Sequence, residues 1–335
     1  MHLFDVDSRV RALPGTVLTR STPADASGGQ VDLPRCQLCD GAARQFMVRN
    51  GFQILRCDSC SFMFAQLPSA IDVNALYTDE AYWNGSAEYG CEYEKYWDLV
   101  GHAYLVRLKR IRVLVRPLAP KLPRMLEIGS AAGYFLKAAS AAGWDAVGVE
   151  IGDSMRKRAA ALTGRPVYAS IEEAAPGGKR FDCIAMFEVI EHLTEPLTML
   201  KRLRELLVPG GILALTTPNF DCNLARERPK EFVSFSPPAH LCFFGQRTLH
   251  SVLEKAGFRA VLTLGSYASQ PTDRIPIPGP IAGMLRPLRR GKRLRPHGLL
   301  GRILRFYLRR RVVDLRRHPE DARWAETLEI YARRM

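Results

Sequence analysis

The stretch Met125-Leu126-Glu127-Ile128-Gly129-Ser130-Ala131-Ala132-Gly133-Tyr134-Phe135-Leu136, followed as far as Glu150, decides how the rest of the chain is read. Its apolar run comes after three spaced prolines and reads as a buried strand. The run ends in a turn of small residues and enters an alanine-rich helical segment, Tyr134 to Ala142. Small residues let the backbone approach a ligand closely, and a helix start offers unpaired N–H groups at its positive end. A second short strand, Ala146 to Val149, ends on Glu150, at the distance where nucleotide folds place an acid on a ribose hydroxyl pair.

Two ligands suit such a unit: NAD(P) and S-adenosylmethionine. A dinucleotide turn wants G-x-G-x-x-G, but here Gly129 and Gly133 have no third glycine. The acid inside the strand, Glu127, repels a pyrophosphate and suits the cationic amino-acid end of a sulfonium compound. The stretch resembles motif I of the class I S-adenosylmethionine-dependent methyltransferases, [DE]-x-G-x-G-x-G. Ala131 replaces the middle glycine, and its methyl group narrows the room beside the ligand.

Strands and helices alternate further along. Gly152 to Leu162 reads as a helix, Val167-Tyr168 as a strand, Phe181 to Phe187 as a strand and Glu195 to Leu207 as a helix. A Val208-Pro209-Gly210-Gly211 turn leads into a strand from Ile212 to Thr216. This order predicts an α/β, Rossmann-like, doubly wound, mainly parallel sheet with its ligand at the carboxyl ends of the strands. The family resemblance covers about residues 124–265. It includes Glu188-x-x-Glu191-His192-Leu193, Pro238-Ala239-His240-Leu241-Cys242-Phe243-Phe244 and the helix Gln246 to Ala256. The antiparallel seventh strand that the family carries is not legible after Leu264.

Cys36, Cys39, Cys57 and Cys60 form two C-x-x-C pairs, at the spacing of a structural zinc site. Phe46-Met47-Val48 and Phe52-Gln53-Ile54-Leu55, turning at Asn50-Gly51, complete a ribbon of about residues 35–67. Four thiolates close the coordination sphere, so the metal serves folding. Cys91, Cys183, Cys222 and Cys242 are isolated and read as small packed hydrophobes. A ribbon followed by Tyr77 and Tyr82 is similar to the zinc-ribbon-bearing branch, which includes sugar C-methyltransferases and enzymes of surface-saccharide and natural-product pathways.

That resemblance implies roles for particular residues. Glu127, Gly129, Ser130 and Gly133 surround the methionine end of the cofactor. Glu150 takes the ribose hydroxyls, Ile151 lies against the adenine, and Ser170 and Ile171 edge that ring. Phe187 and Glu188 line the donor side. His240 is the candidate base, since imidazole has a suitable pKa, with hydrogen-bonded bracing of its loop as the alternative. His192 reads as structural or cofactor-side, and only secondarily as catalytic. Tyr77 and Tyr82 cap the pocket or pack between domains.

At 335 residues the chain has room for a large domain and a smaller one. The expected division is a tail at 1–34, the ribbon at 35–67, connecting helices at 68–122, the cofactor domain at 123–265, and a basic, partly helical segment at 266–335. A long helix from about Tyr93 to Val115 belongs to the third part. The absence of an apolar core near Met1 and of a ~20-residue apolar run points to a cytoplasmic protein, peripheral at the inner membrane surface on one reading. Net charge is +14, and Arg286 to Arg317 holds thirteen Lys or Arg against one acid, so the cationic character belongs to the C-terminus. A helix from Leu299 to Leu315 would be amphipathic and basic. Packing on the body, an anionic membrane surface or lipid-linked substrate, and nucleic acid all fit it. Nucleic acid fits least, because no recognised RNA-binding module is present. The expected activity is methyl transfer to a small molecule, a sugar or another biosynthetic intermediate. An RNA methyltransferase and a non-catalytic binding protein are the alternatives. Oligomeric state, and the choice among C-, O- and N-methylation, stay open.

Overall fold

The computed structural model describes residues 33–68, 71–78, 83, 97–115, 122–266, 312–314 and 325–335. The expected tail to residue 32, Tyr82, Cys91, and the basic stretch 286–317 apart from 312–314 lie outside the described residues.

The N-terminal part is a small antiparallel sheet. Strands β1 (Ala43–Arg49) and β2 (Phe52–Cys57) form a hairpin, and β3 (Met63–Gln66) pairs with β2. The hairpin turns at Asn50 and Gly51, both at positive φ (51° and 79°), the turn chemistry that favours Asn-Gly. A short helix α1 (Asn74–Thr78) follows, and α2 (Trp97–Val115) then lays Leu108, Ile111 and Val115 on the main core.

The main domain opens with β4 (Arg124–Ile128), α3 (Tyr134–Ala141), β5 (Asp145–Val149), α4 (Asp153–Thr163), β6 (Val167–Tyr168) and α5 (Ile171–Ala174). It continues through β7 (Phe181–Phe187), α6 (Pro196–Leu206), β8 (Leu207–Pro218) and α7 (Asn223–Glu227). The chain then adds β9 (Cys242–Phe243), α8 (Gln246–Lys255), β10 (Phe258–Ser266), β11 (Val312–Asp314) and β12 (Thr327–Arg334). The sheet order is β11-β10-β12-β8-β7-β4-β5-β6. Neighbours from β8 to β6 pair in parallel, whereas β12 runs antiparallel to both β8 and β10. Ile184 and Met186 on β7 pack into one apolar cluster and Cys183 and Ala185 into another, so both faces of the sheet are covered.

Three sequence expectations change. The seventh strand exists as Thr327–Arg334, which enters the sheet between β8 and β10. Residues 327–334, expected in a separate C-terminal segment, are therefore part of the core sheet. Val312–Asp314 pairs with Leu264–Ser266 as a strand, so a helix does not run on to Leu315. The Val208–Gly211 turn is instead a bulge inside β8: Phe181 faces Leu207, and two residues later Cys183 faces Ile212.

The ribbon is also joined to the main domain. β9 pairs with β3, Met63 opposite Phe243 and Phe64 opposite Cys242. Phe46, Ile54 and Met63 share an apolar cluster with Phe220, Phe232, Phe235 and Phe243. The loop that bears His240 thus packs directly on the ribbon.

Candidate functional site

The turn after β4 is built for close approach. Gly129 and Ser130 both donate their N–H to the carbonyl of Val149, at 2.9 and 3.0 Å, tying the turn to the end of β5. Gly129 has φ +70°, and a Cβ there would lie 2.6 Å from Val189. Gly133 has φ +83°, and its Cβ would lie 2.9 Å from the backbone of Ala159. Neither position admits a side chain. Ala131, at φ +43°, holds a left-handed conformation normally left to glycine. Its N–H donates to Glu150 Oε2 at 2.8 Å.

Glu150 is fully used on one side. Its Oε1 accepts from Gly152 N–H at 2.9 Å. Burial raises its pKa, opposed by the amides of Gly152 and Ala131 and by Arg156. The carboxyl group is thereby fixed, and its remaining lone pairs are available to ligand hydroxyls. Glu127 is different. It is buried, and its Oε2 has no hydrogen-bond partner. Burial, then the neighbouring Glu150, hold its pKa well above the carboxylate range. An orphaned buried carboxyl beside a glycine cradle calls for a cationic or donor-bearing guest.

The remaining cofactor-side candidates divide. Ile151 is an exposed apolar side chain beside Glu150, as contact with a flat ring requires. Phe187 is half-buried, edge-on to Phe135 at 4.8 Å, with the Arg107 guanidinium 4.8 Å from its ring centre. Glu188 is exposed and held at φ +53°, a strained backbone of the kind that clusters at functional sites. Ser130 turns its hydroxyl to the Val149 carbonyl at 3.5 Å. Two candidates are committed elsewhere: Ser170 caps α5 by accepting from Glu173 N–H, and Ile171 is buried in the core. Ser170 remains half-buried, and Ile171 follows it at the start of α5.

On the other side of the β7 end, His192 and His240 meet edge to face, with ring centres 4.8 Å apart. His240 Nδ1 lies 2.7 Å from the Ser234 carbonyl, and His192 Nδ1 lies 2.7 Å from the Ala239 carbonyl. A carbonyl only accepts, so each Nδ1 carries the proton, and the Nε2 of His240 keeps its lone pair. Burial pushes both pKa values down, to about 4 for His240 and about 3 for His192. Both rings are neutral at pH 7. Tyr77 joins the two sides: its hydroxyl donates to Ala239 O at 2.9 Å and reaches His192 Nδ1 at 2.7 Å. Its carbonyl sits above Gly152, where a Cβ would come within 2.6 Å, and accepts from Trp83 Nε1 at 2.8 Å.

Two groups of residues were not singled out from sequence. Glu191 is completely buried, and neither carboxyl oxygen has a partner of hydrogen-bonding geometry. Its place in Glu188-x-x-Glu191-His192 was the available signal. Arg107 and Arg110 from α2 grip Glu329 of β12 at 3.1 and 2.6 Å, and Tyr331 donates to the same carboxylate at 2.5 Å. Nothing in the sequence links positions so far apart.

The cysteine cluster is well formed. Cys36 and Cys60 sulfurs lie 3.6 Å apart and those of Cys39 and Cys57 3.4 Å apart, without disulfides. Amide N–H groups of Leu38 and Cys60 point at the sulfurs of Cys36 and Cys57 at 3.4 Å. Burial raises Cys36 to about 11; at Cys57 burial is outweighed by the Cys60 amide, giving about 7. Sulfurs this close, with amide donors, fit a tetrahedral cation. Cys183, Cys222 and Cys242 are buried singly.

Parts of the chain are similar to known proteins. A methyltransferase from Archaeoglobus fulgidus covers 73% of this chain and all of its own, at 17% identity and TM-score 0.46. Magnesium protoporphyrin IX methyltransferase from Synechocystis covers 80% of this chain and all of its own, at 12% identity and TM-score 0.45. Ubiquinone biosynthesis O-methyltransferase of Cereibacter sphaeroides is 32% identical over 114 residues, which are 31% of this chain and 46% of that protein. The same enzyme from Roseobacter denitrificans is 29% identical over 128 residues, 36% of this chain and 49% of its own. The chain thus spans about half the length of these relatives. The methyltransferase-domain family model matches residues 101–263. Just under half of the chain, residues 101–263, is thus similar to known methyltransferase domains.

Proposed function

We propose that this protein transfers a methyl group from S-adenosylmethionine to a small-molecule acceptor. The observation that carries the reading is the paired acids across the tight turn: Glu127, buried with an orphaned oxygen, and Glu150, fixed by two main-chain amides. The cofactor supplies a methyl carbon on a positively charged sulfur. Glu127 meets the cationic amino-acid end, Glu150 the ribose hydroxyls and Ile151 the adenine face, while Gly129 and Gly133 leave the room. Phe187 and Glu188 line the donor side.

The acceptor approaches from the loops after β7 and β8. There the neutral Nε2 of His240 supplies a basic lone pair, and Tyr77 and His192 hold the Ala239 carbonyl, so His240 stands as the proton acceptor. The names of the curated relatives support an oxygen acceptor. The ribbon packed on the His240 loop supports the sugar or related biosynthetic intermediate implied by the zinc-ribbon branch. The four cysteines hold a structural Zn²⁺, which braces that loop through the β3–β9 pairing.

Isothermal calorimetry of the full chain with S-adenosylmethionine tests this. The expected result is binding that weakens about 100-fold in Glu150→Ala, since hydrogen bonds to a charged group contribute about 1.5–3 kcal/mol each. Absence of binding by the intact protein would end the proposal.

A further inference from the structure

The Arg107 guanidinium is held at the carboxyl end of the sheet with most of its donors unspent. Ile128 pairs with Met186, so Phe187 comes level with Gly129, the first residue of the cofactor turn. Phe187 in turn faces Thr216, and Thr216 faces Glu329. One row of residues thus runs from the turn across β4, β7, β8 and β12. Arg107 reaches onto that row from α2. Its Nε donates to Glu329 Oε2 at 3.1 Å, and its guanidinium carbon sits 4.8 Å from the Phe187 ring centre. Arg110 and Tyr331 both donate to the other oxygen of Glu329, at 2.6 and 2.5 Å, and fix that carboxylate in its turn. Two cations therefore share one buried acid beside the cofactor turn. Glu188 attracts the Arg107 guanidinium from the exposed side but makes no hydrogen bond to it. Among the described residues the two Nη nitrogens of Arg107 have no hydrogen-bond partner, and neither is sealed from solvent. Guanidinium N–H groups kept in a fixed plane and left facing an opening form a fork for two oxygens of one anion.

We propose that Arg107 binds a carboxylate or phosphate group of the methyl acceptor, and so selects acceptors that carry an oxyanion close to the reacting atom. The inference rests on the methyltransferase reading and names a substrate class for it. Pairing of Nε with Glu329 and stacking on Phe187 set the plane of the fork, so little of its freedom is left to lose when the acceptor arrives. A lysine there would supply the charge, but neither the fork nor the stacking. Arg110 and Tyr331 are positioning residues, because they hold Glu329 and Glu329 holds Arg107.

Fluorine NMR of the full chain, with and without S-adenosylhomocysteine, reads the binding of three probes: 4-fluorobenzoate, 4-fluorophenyl phosphate and the uncharged 4-fluorobenzamide. At least one anion is expected to bind about tenfold or more tightly than the amide, and the tighter of the two names the acceptor's group. Arg107→Lys is expected to weaken that anion by about tenfold while leaving the amide unchanged, a split that a general loosening of the site would not produce. Circular dichroism reports whether the variant is folded. Should it not fold, a crystal of the parent soaked in the tighter probe decides. Density on the Arg107 Nη atoms then supports the site, and density elsewhere or none overturns it. Equal affinity for the amide, or anion binding unchanged in folded Arg107→Lys, also overturns it. Anion binding that depends on Arg107, in a chain that does not bind S-adenosylmethionine by calorimetry, would keep the anion site and remove the methyltransferase reading, so the two failures are separable.

Discussion

Ala131 is the residue at which local chemistry and the needs of the site disagree. Its φ of +43° costs an L-residue about 1 kcal/mol or more, yet the turn needs that conformation to aim its N–H at Glu150. Ala131→Gly is expected to raise stability by about 0.5–1 kcal/mol, the strain relieved less the added freedom of the unfolded chain. In a domain of this size that is a rise in Tm of about 2 °C, read by calorimetry. Glu127 supplies the companion prediction. Its pKa is raised, so it holds a proton in the free protein at pH above the usual carboxylate range. A cationic guest favours the ionised form, so binding releases that proton and tightens as pH rises. Titrations in two buffers of different ionisation enthalpy should give different apparent heats, and Glu127→Gln should remove the difference. Equal heats in the intact protein would contradict the assignment.

At the scale of elements, the ribbon and the acceptor loop act as one unit. β3 pairs with β9, and four phenylalanines of the main domain close on Phe46, Ile54 and Met63. Removing the Zn²⁺ proposed for the four cysteines should therefore loosen more than the ribbon. Chelation, or Cys57→Ser, is expected to speed amide exchange in residues 234–244 and to lower Tm, measured by hydrogen–deuterium exchange and calorimetry. Unchanged exchange in that loop would show the two to be independent. The 12-residue β8 carries a related lesson. Its Pro-Gly-Gly looked like a boundary, but the strand absorbs it as a bulge because both flanks are already paired to β7.

For the whole molecule, the decisive contact is Arg107 and Arg110 on Glu329. It ties α2, before the first core strand, to β12 at the far end of the chain. Burial raises the Glu329 pKa, but the two arginines outweigh it and hold it below the usual value. A depressed carboxylate pKa adds stability above about pH 4.5 that is lost as pH falls through the folded value. Glu329→Gln is expected to cost about 1.5–3 kcal/mol at pH 7, because it takes the counter-charge from two partly buried guanidinium groups. It should also flatten the acid limb of Tm against pH. An acid limb identical to that of the parent would sink the claim. Among the described residues no helix is long and apolar enough to cross a membrane.

The sequence by itself determined the strand–turn–helix around Gly129, the two acids, the cysteine pairs and the parallel half of the sheet. These are local: turn glycines, apolar runs and fixed short spacings act between neighbours in the chain. It also put His240 in a loop of consequence, though not its meeting with His192. Only the tertiary structure decided that β12 enters the sheet, that Ile171 is buried in the core, and that Glu329 pairs with α2. Strand order, burial and ion pairing depend on which distant segments share a face, and residue 329 bears no local mark of residue 107.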